Sequence, residues 1–154
     1  MPTLYVRFKK STNLPSVEIM MGDYIEIICP IYSNTTDASV MEVYVLRWVS
    51  EEEYRGCYVK NPNSKIFQCD TPLKRNKFTL AILPNPSVPG QMTFKEDTRY
   101  YMTSTSTGRS EGLLNKEGGV CAERNMKLIF YVPKLHFNIA SSAVSIDGKE
   151  DNSA

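Results

Sequence analysis

Short runs of β-forming residues recur along this chain, and the gaps between them leave little room for a long helix. They are Tyr5 to Phe8, Tyr24 to Ile28, Glu42 to Val49, Lys65 to Gln68, Lys77 to Ile82, Arg99 to Ser106 and Met126 to Val132. Each is rich in β-branched and aromatic residues, which fit a pleated, half-buried surface. Turn chemistry separates them at Gly22-Asp23, Asn61-Pro62-Asn63, Asp70-Thr71-Pro72 and Gly118-Gly119. The spacing predicts an all-β fold of about eight strands, a sandwich or a Greek-key barrel. One helical turn is expected. Ser50 with Glu53 three residues on makes a capping box, Glu51 and Glu52 suit a helix N-terminus, and Gly56 ends it.

The chain has 154 residues, the size of one domain with a core of its own. After Pro133 the residues turn small and polar, so 135–154 reads as a stalk or disordered tail. The formal net charge of +1 provides no long-range field for nucleic acid or an acidic membrane. The basic run Lys74, Arg75, Lys77 reads as a solvated turn rather than a polyanion site such as one for heparin. No run of 18 apolar residues could span a membrane, and Met1-Pro2-Thr3 lacks the regions a signal peptide needs.

Four cysteines, Cys29, Cys57, Cys69 and Cys121, are widely spaced with no C-x-x-C pair. Zinc ligands usually come in pairs two to four residues apart, and the lone His136 completes no Cys/His set. The even count predicts two disulfides and an oxidising compartment, with three pairings open. Asn34-Thr35-Thr36 is an N-glycosylation sequon, which also points outward, whereas Asn85-Pro86-Ser87 fails because Pro holds the middle position. Catalytic constellations are missing. With His136 alone near the tail there is no base for a Ser or Cys nucleophile and no ligand set for blue copper. The acidic run Glu51-Glu52-Glu53 is better explained as helix-cap charge than as a glycosidase pair, and Gly118-Gly119 lacks the Lys-Ser/Thr of a phosphate loop. No enzyme, metal or cofactor is expected, and a binding module is.

The stretch FTLAILPNPSVPGQMTF, Phe78 to Phe94, is not the usual polar connection. It begins and ends like a strand, but Pro84, Pro86 and Pro89 cannot donate to a sheet ladder. The loop still carries Leu83, Val88 and Met92. Three prolines reduce the freedom of such a loop whatever it serves.

Three segments carry a family resemblance. They are GDYIEIICP from Gly22 to Pro30, MEVYVLRWVSEEEYRGC from Met41 to Cys57, and RYYMTSTSTGRSEGLLNKEGGVCAERNMKLIFYV from Arg99 to Val132. In that order and spacing they resemble an ephrin receptor-binding domain over residues 3–134, with a C-terminal block closer to the B-type members. The resemblance implies an eight-stranded Greek-key β-barrel or sandwich, cupredoxin-like without copper. It implies the pairings Cys29–Cys69 and Cys57–Cys121. It also implies an extracellular ligand of Eph receptor tyrosine kinases that acts at cell contacts in axon guidance and morphogenesis. Such a ligand is tethered by a C-terminal glycolipid or transmembrane anchor lying outside this chain, and it signals in clusters.

The family's receptor-binding loop matches Leu83, Pro84, Asn85, Pro86, Ser87, Val88, Pro89, Gly90, Gln91 and Met92, with Phe78 and Phe94 on the flanking strands. Where family members present bulky residues at the tip, this chain has Asn85, Pro89 and Gly90. The family's early Tyr-Trp-Asn segment is replaced near Tyr5-Val6-Arg7, and Thr107 stands where some members have Asn. The departures imply a divergent, invertebrate member. They leave three expectations: weak or selective Eph binding, an ephrin-fold ligand that has changed partner to another cell-surface receptor or co-receptor, or a loop that only covers the barrel rigidly.

Overall fold

The structure is a computed structural model and describes residues 3–7, 16–61, 63–85 and 92–134. Eight strands among them form two hydrogen-bonded sheets rather than one closed barrel. The strands are β1 (Thr3–Arg7), β2 (Ser16–Glu18), β3 (Tyr24–Ile28), β4 (Tyr44–Val49), β5 (Lys65–Cys69), β6 (Lys77–Ala81), β7 (Thr98–Thr103) and β8 (Lys127–Val132). The smaller sheet runs β1-β3-β6 and the larger β2-β8-β7-β4-β5. Strands remote in sequence lie side by side, as in a Greek key. β1 pairs with β3 and β2 with β8 in parallel, and the remaining pairs are antiparallel.

Period-two patterning sets which face meets the core. In β3, Ile25 and Ile27 are fully buried while Glu26 turns to the other face, where Lys77 of β6 pairs with it. In β8, Leu128, Phe130 and Val132 point inward. They lie opposite Tyr100 and Met102 of β7 by register, Tyr100 against Phe130 and Met102 against Leu128. The space between the sheets is filled by these side chains with Leu46, Leu80, Ile82, Ile19 and Phe94. Trp48 sits among three aromatic rings, with centroids 5.9 Å from Phe94, 6.3 Å from Tyr100 and 5.8 Å from Phe130, all edge-on.

The expected helical turn is α1 (Glu51–Gly56). The Glu53 N–H donates to Ser50 Oγ at 3.1 Å and the Ser50 N–H donates to Glu53 Oε1 at 2.8 Å, which closes the capping box. The sequence pattern read a tight turn at Gly118-Gly119, and here the structure differs. Both glycines take positive φ, but they open a second helix, α2 (Gly119–Arg124). A Cβ on Gly119 would lie 2.1 Å from the Thr105 carbonyl oxygen, so this close approach requires glycine. The run expected to extend through Ser106 leaves the sheet at Thr103. Ser104, Thr105 and Ser106 are buried and bond through their side chains instead: Ser106 Oγ donates to Leu113 O and accepts from Val45 N–H, Thr105 Oγ1 donates to Asn115 O, and Ser104 Oγ accepts from Ser106 N–H.

Two disulfides, Cys29–Cys69 and Cys57–Cys121, tie the ends of these elements. The first joins the end of β3 to the end of β5 and packs in a second cluster with Tyr44, Val120 and Met126. The second joins the C-terminal cap of α1 to α2.

Candidate functional site

The loop that the sequence singles out rises from a built stem. Ile82 follows β6 and is fully buried. Its N–H donates to Asp23 O at 2.9 Å and its carbonyl accepts from Gly22 N–H at 2.8 Å. The Gly22-Asp23 turn is held in its own right, because Asp23 Oδ2 accepts from Met20 N–H at 2.9 Å. One residue further, Leu83 O accepts from Phe94 N–H at 3.1 Å, and this bond closes the loop. Phe94 belongs to no strand, contrary to the flanking-strand expectation. It anchors the returning chain by its side chain instead, 1% exposed, with its ring centroid 4.8 Å from that of Tyr100. The Lys95 N–H then donates to Tyr100 Oη at 2.7 Å.

The candidate residues divide along this stem. Leu83 and Met92 are half-buried, and Met92 packs against the main core. Pro84 and Asn85 are exposed. Pro86, Ser87, Val88, Pro89, Gly90 and Gln91 lie outside the described residues. Sequence reasoning missed the clamp made by Gly22, Asp23 and Ile82 and the roles of Phe94 and Tyr100. A Gly-Asp turn signal was present, but nothing in the sequence says what a turn will bond sixty residues away.

Elsewhere the polar clusters support structure. Arg124 holds Glu42 through both guanidinium nitrogens, at 2.9 and 2.8 Å, and Tyr44 donates to the same carboxylate. On the outer face of the larger sheet the Tyr54 ring lies tilted against Tyr101, centroids 5.1 Å apart, with Lys127 Nζ 4.9 Å from its centroid. Burial raises the Tyr54 phenol, with the neighbouring Tyr101 adding to it, and burial lowers the Lys127 ammonium. Lys74 and Arg75 of the basic run are exposed on a turn in which Lys74 N–H donates to Thr71 O at 3.0 Å. Among the described residues there is no cluster of three His, Cys, Asp or Glu able to hold a metal ion.

A β-sandwich pinned by two disulfides fits a domain that folds in an oxidising compartment. The ephrin family model matches residues 3–132, and the chain belongs to the ephrin family. Ephrin-B2a of Danio rerio is 36% identical over 113 residues, which is 73% of this chain and 33% of the relative. Ephrin-B1 of Homo sapiens is 36% identical over 113 residues, which is 73% of this chain and 32% of the relative. The chain thus spans about a third of the length of these curated relatives. In the crystal structure of the human ephrin A2–ephrin A1 complex, one chain shares the fold. It matches with a TM-score of 0.70 and 22% identity, covering 87% of this chain and 100% of that one.

Proposed function

We propose that residues 3–134 are the receptor-binding domain of a cell-surface ephrin, and that Leu83–Met92 is the loop it inserts into the ectodomain of an Eph receptor tyrosine kinase. The family is one of extracellular receptor ligands rather than enzymes. On this reading the ligand acts at cell contacts, in axon guidance and morphogenesis. It clusters on the membrane, reached through residues 135–154 as a stalk and a C-terminal anchor.

The observation that carries the reading is the stem. Leu83 and Phe94 are joined by a backbone bond, and the Phe94 ring packs edge-on against Trp48 and Tyr100. The loop base is therefore ordered before any partner arrives, which lowers the entropy lost on binding. Pro84, Pro86 and Pro89 extend that stiffness into the loop. The anchors available are small. A large aromatic buries about 150–250 Å², whereas a Val- or Leu-sized group contributes about 1.5–3 kcal/mol when buried. Binding to Eph receptors is therefore weak or restricted to few of them. Surface binding to a panel of Eph ectodomains tests this, and nanomolar affinity for many members would overturn it.

Asn85, Pro89 and Gly90 at the tip favour a second reading, an ephrin-fold ligand that has moved to another cell-surface receptor or co-receptor. The paired change Val88→Asp and Pro89→Asp separates the two. Loss of all cell-surface binding along with Eph binding supports the first reading. Retained binding to cells lacking Eph receptors supports the second.

A further inference from the structure

We propose that Asn34 carries an N-linked glycan, and that its first sugars lie over an apolar corner of the domain opposite the loop. The sequon Asn34-Thr35-Thr36 sits in a turn in which Thr36 N–H donates to Ser33 O at 2.9 Å. Asn34 is at the outside of that turn and is exposed, so the finished fold has room for the modification. The hydroxyls of the turn are divided. Thr35 Oγ1 is bonded to Ser33 Oγ at 2.8 Å, while that of Thr36, the sequon's recognition hydroxyl, makes no such bond among the described residues. The Cys29–Cys69 bridge five residues before Asn34 requires the oxidising compartment in which this modification is made.

The surroundings give the glycan something to cover. Ile31, Val40 and Leu73 are large apolar residues 55%, 56% and 54% exposed. Tyr32 draws their segments together, its N–H donating to Pro72 O at 2.8 Å and its hydroxyl accepting from Glu42 N–H at 3.2 Å. Next to Val40 and Leu73 in the chain, Met41 and Pro72 line an open hollow of about 610 Å³ whose lining is mixed, with Asp70, Arg109 and Glu111 as its charged members. Such a corner on a secreted domain invites association unless a bulky polar group shields it. It lies away from the loop. At one end of β3, Tyr24 pairs with Ala81 beside the stem, and at the other, Ile28 pairs with Lys77 and leads to Cys29. Five strand residues separate the two ends by about 13–17 Å, so a glycan at Asn34 leaves the loop open.

The test is expression of the full chain behind a secretory leader in animal cells, followed by digestion with peptide N-glycosidase and peptide mapping in heavy-oxygen water. One glycan's shift on digestion, with labelled Asp appearing at position 34, is the expected result. Asn34→Gln and Thr36→Ala remove the shift, whereas Thr36→Ser and Thr35→Ala retain it. The deglycosylated protein should self-associate at lower concentration than the glycosylated one in sedimentation, and Leu73→Asp should relieve this. Secreted, folded chain with an unmodified Asn34 overturns the site, and identical sedimentation before and after digestion overturns the covering role.

Discussion

At the residue scale, Phe94 is the buried anchor of the candidate site's stem. It lies in no strand, and its own N–H donates to Leu83 O, so the returning chain is placed by that bond and by where its ring is buried. Phe94→Ala should cost about 3–5 kcal/mol of stability in urea denaturation. Phe94→Leu should cost less and keep the fold while loosening the stem, so partner binding should fall by more than the residual unfolding explains. Glu53 ties local structure to pH. Burial pushes its carboxyl up, but N–H donors from Lys60 and Ser50, the Ser50 hydroxyl and the Lys60 charge outweigh that and hold it below the ordinary range. The Lys60 contact is 2.6 Å. A depressed folded value means that the stabilisation is complete above the unfolded value of about 4.3 and is lost as pH falls through the lower folded value. Wild-type stability should therefore drop between pH 6 and pH 3 by more than that of Glu53→Gln. Parallel pH profiles would show that the capping box carries no such linkage.

At the element scale the two bridges replace covalently what short strands cannot supply. Cys29–Cys69 closes 40 residues and Cys57–Cys121 closes 64, and for loops of these sizes chain entropy gives about 4 kcal/mol each. Replacing either pair by Ser should lower stability by about 2–5 kcal/mol in denaturant titration. The Cys57–Cys121 loss should also weaken protection of α1 and α2 in amide exchange, since that bond links their ends. Local rules explain which elements were legible. Tyr24–Ile28 was legible as a run of β-formers after the Gly22-Asp23 turn, and Ser50 with Glu53 announces a helix start by chemistry confined to one turn. β2 was not legible because three residues carry no period, and Ser16–Glu18 is a strand only because Ile129, Phe130 and Tyr131 lie beside it. α2 was misread because positive φ at Gly118 and Gly119 serves a turn and a helix entry alike, and only the Thr105 carbonyl decides between them. The segment between Leu83 and Met92 was singled out by its prolines. Its stem was not, since Gly22, Asp23 and Tyr100 reach it across the fold.

At the scale of the whole molecule, charge decides how a partner can be met. Eighteen Lys and Arg offset seventeen Asp and Glu, so no net field draws a charged surface from a distance. The basic turn at Lys74 and Arg75 lies beyond the end of β6 that pairs with Ile28, while the loop stem follows the other end. An apolar loop working alone should therefore associate at the unsteered rate of about 10⁵–10⁶ M⁻¹s⁻¹ and release its partner at a rate set by how well small anchors fill the pocket. Raising salt from 50 to 500 mM should leave the association rate within about twofold if the loop carries binding, whereas counterion release at a basic turn would lower affinity steeply. Val88→Asp should shorten the complex lifetime with little change in association, and Lys74→Glu with Arg75→Glu should alter neither. Stopped-flow or surface kinetics on the captured receptor ectodomain distinguishes these. A steep salt dependence abolished by the Lys74 and Arg75 changes would move the binding surface from the loop to the opposite end of the sheet.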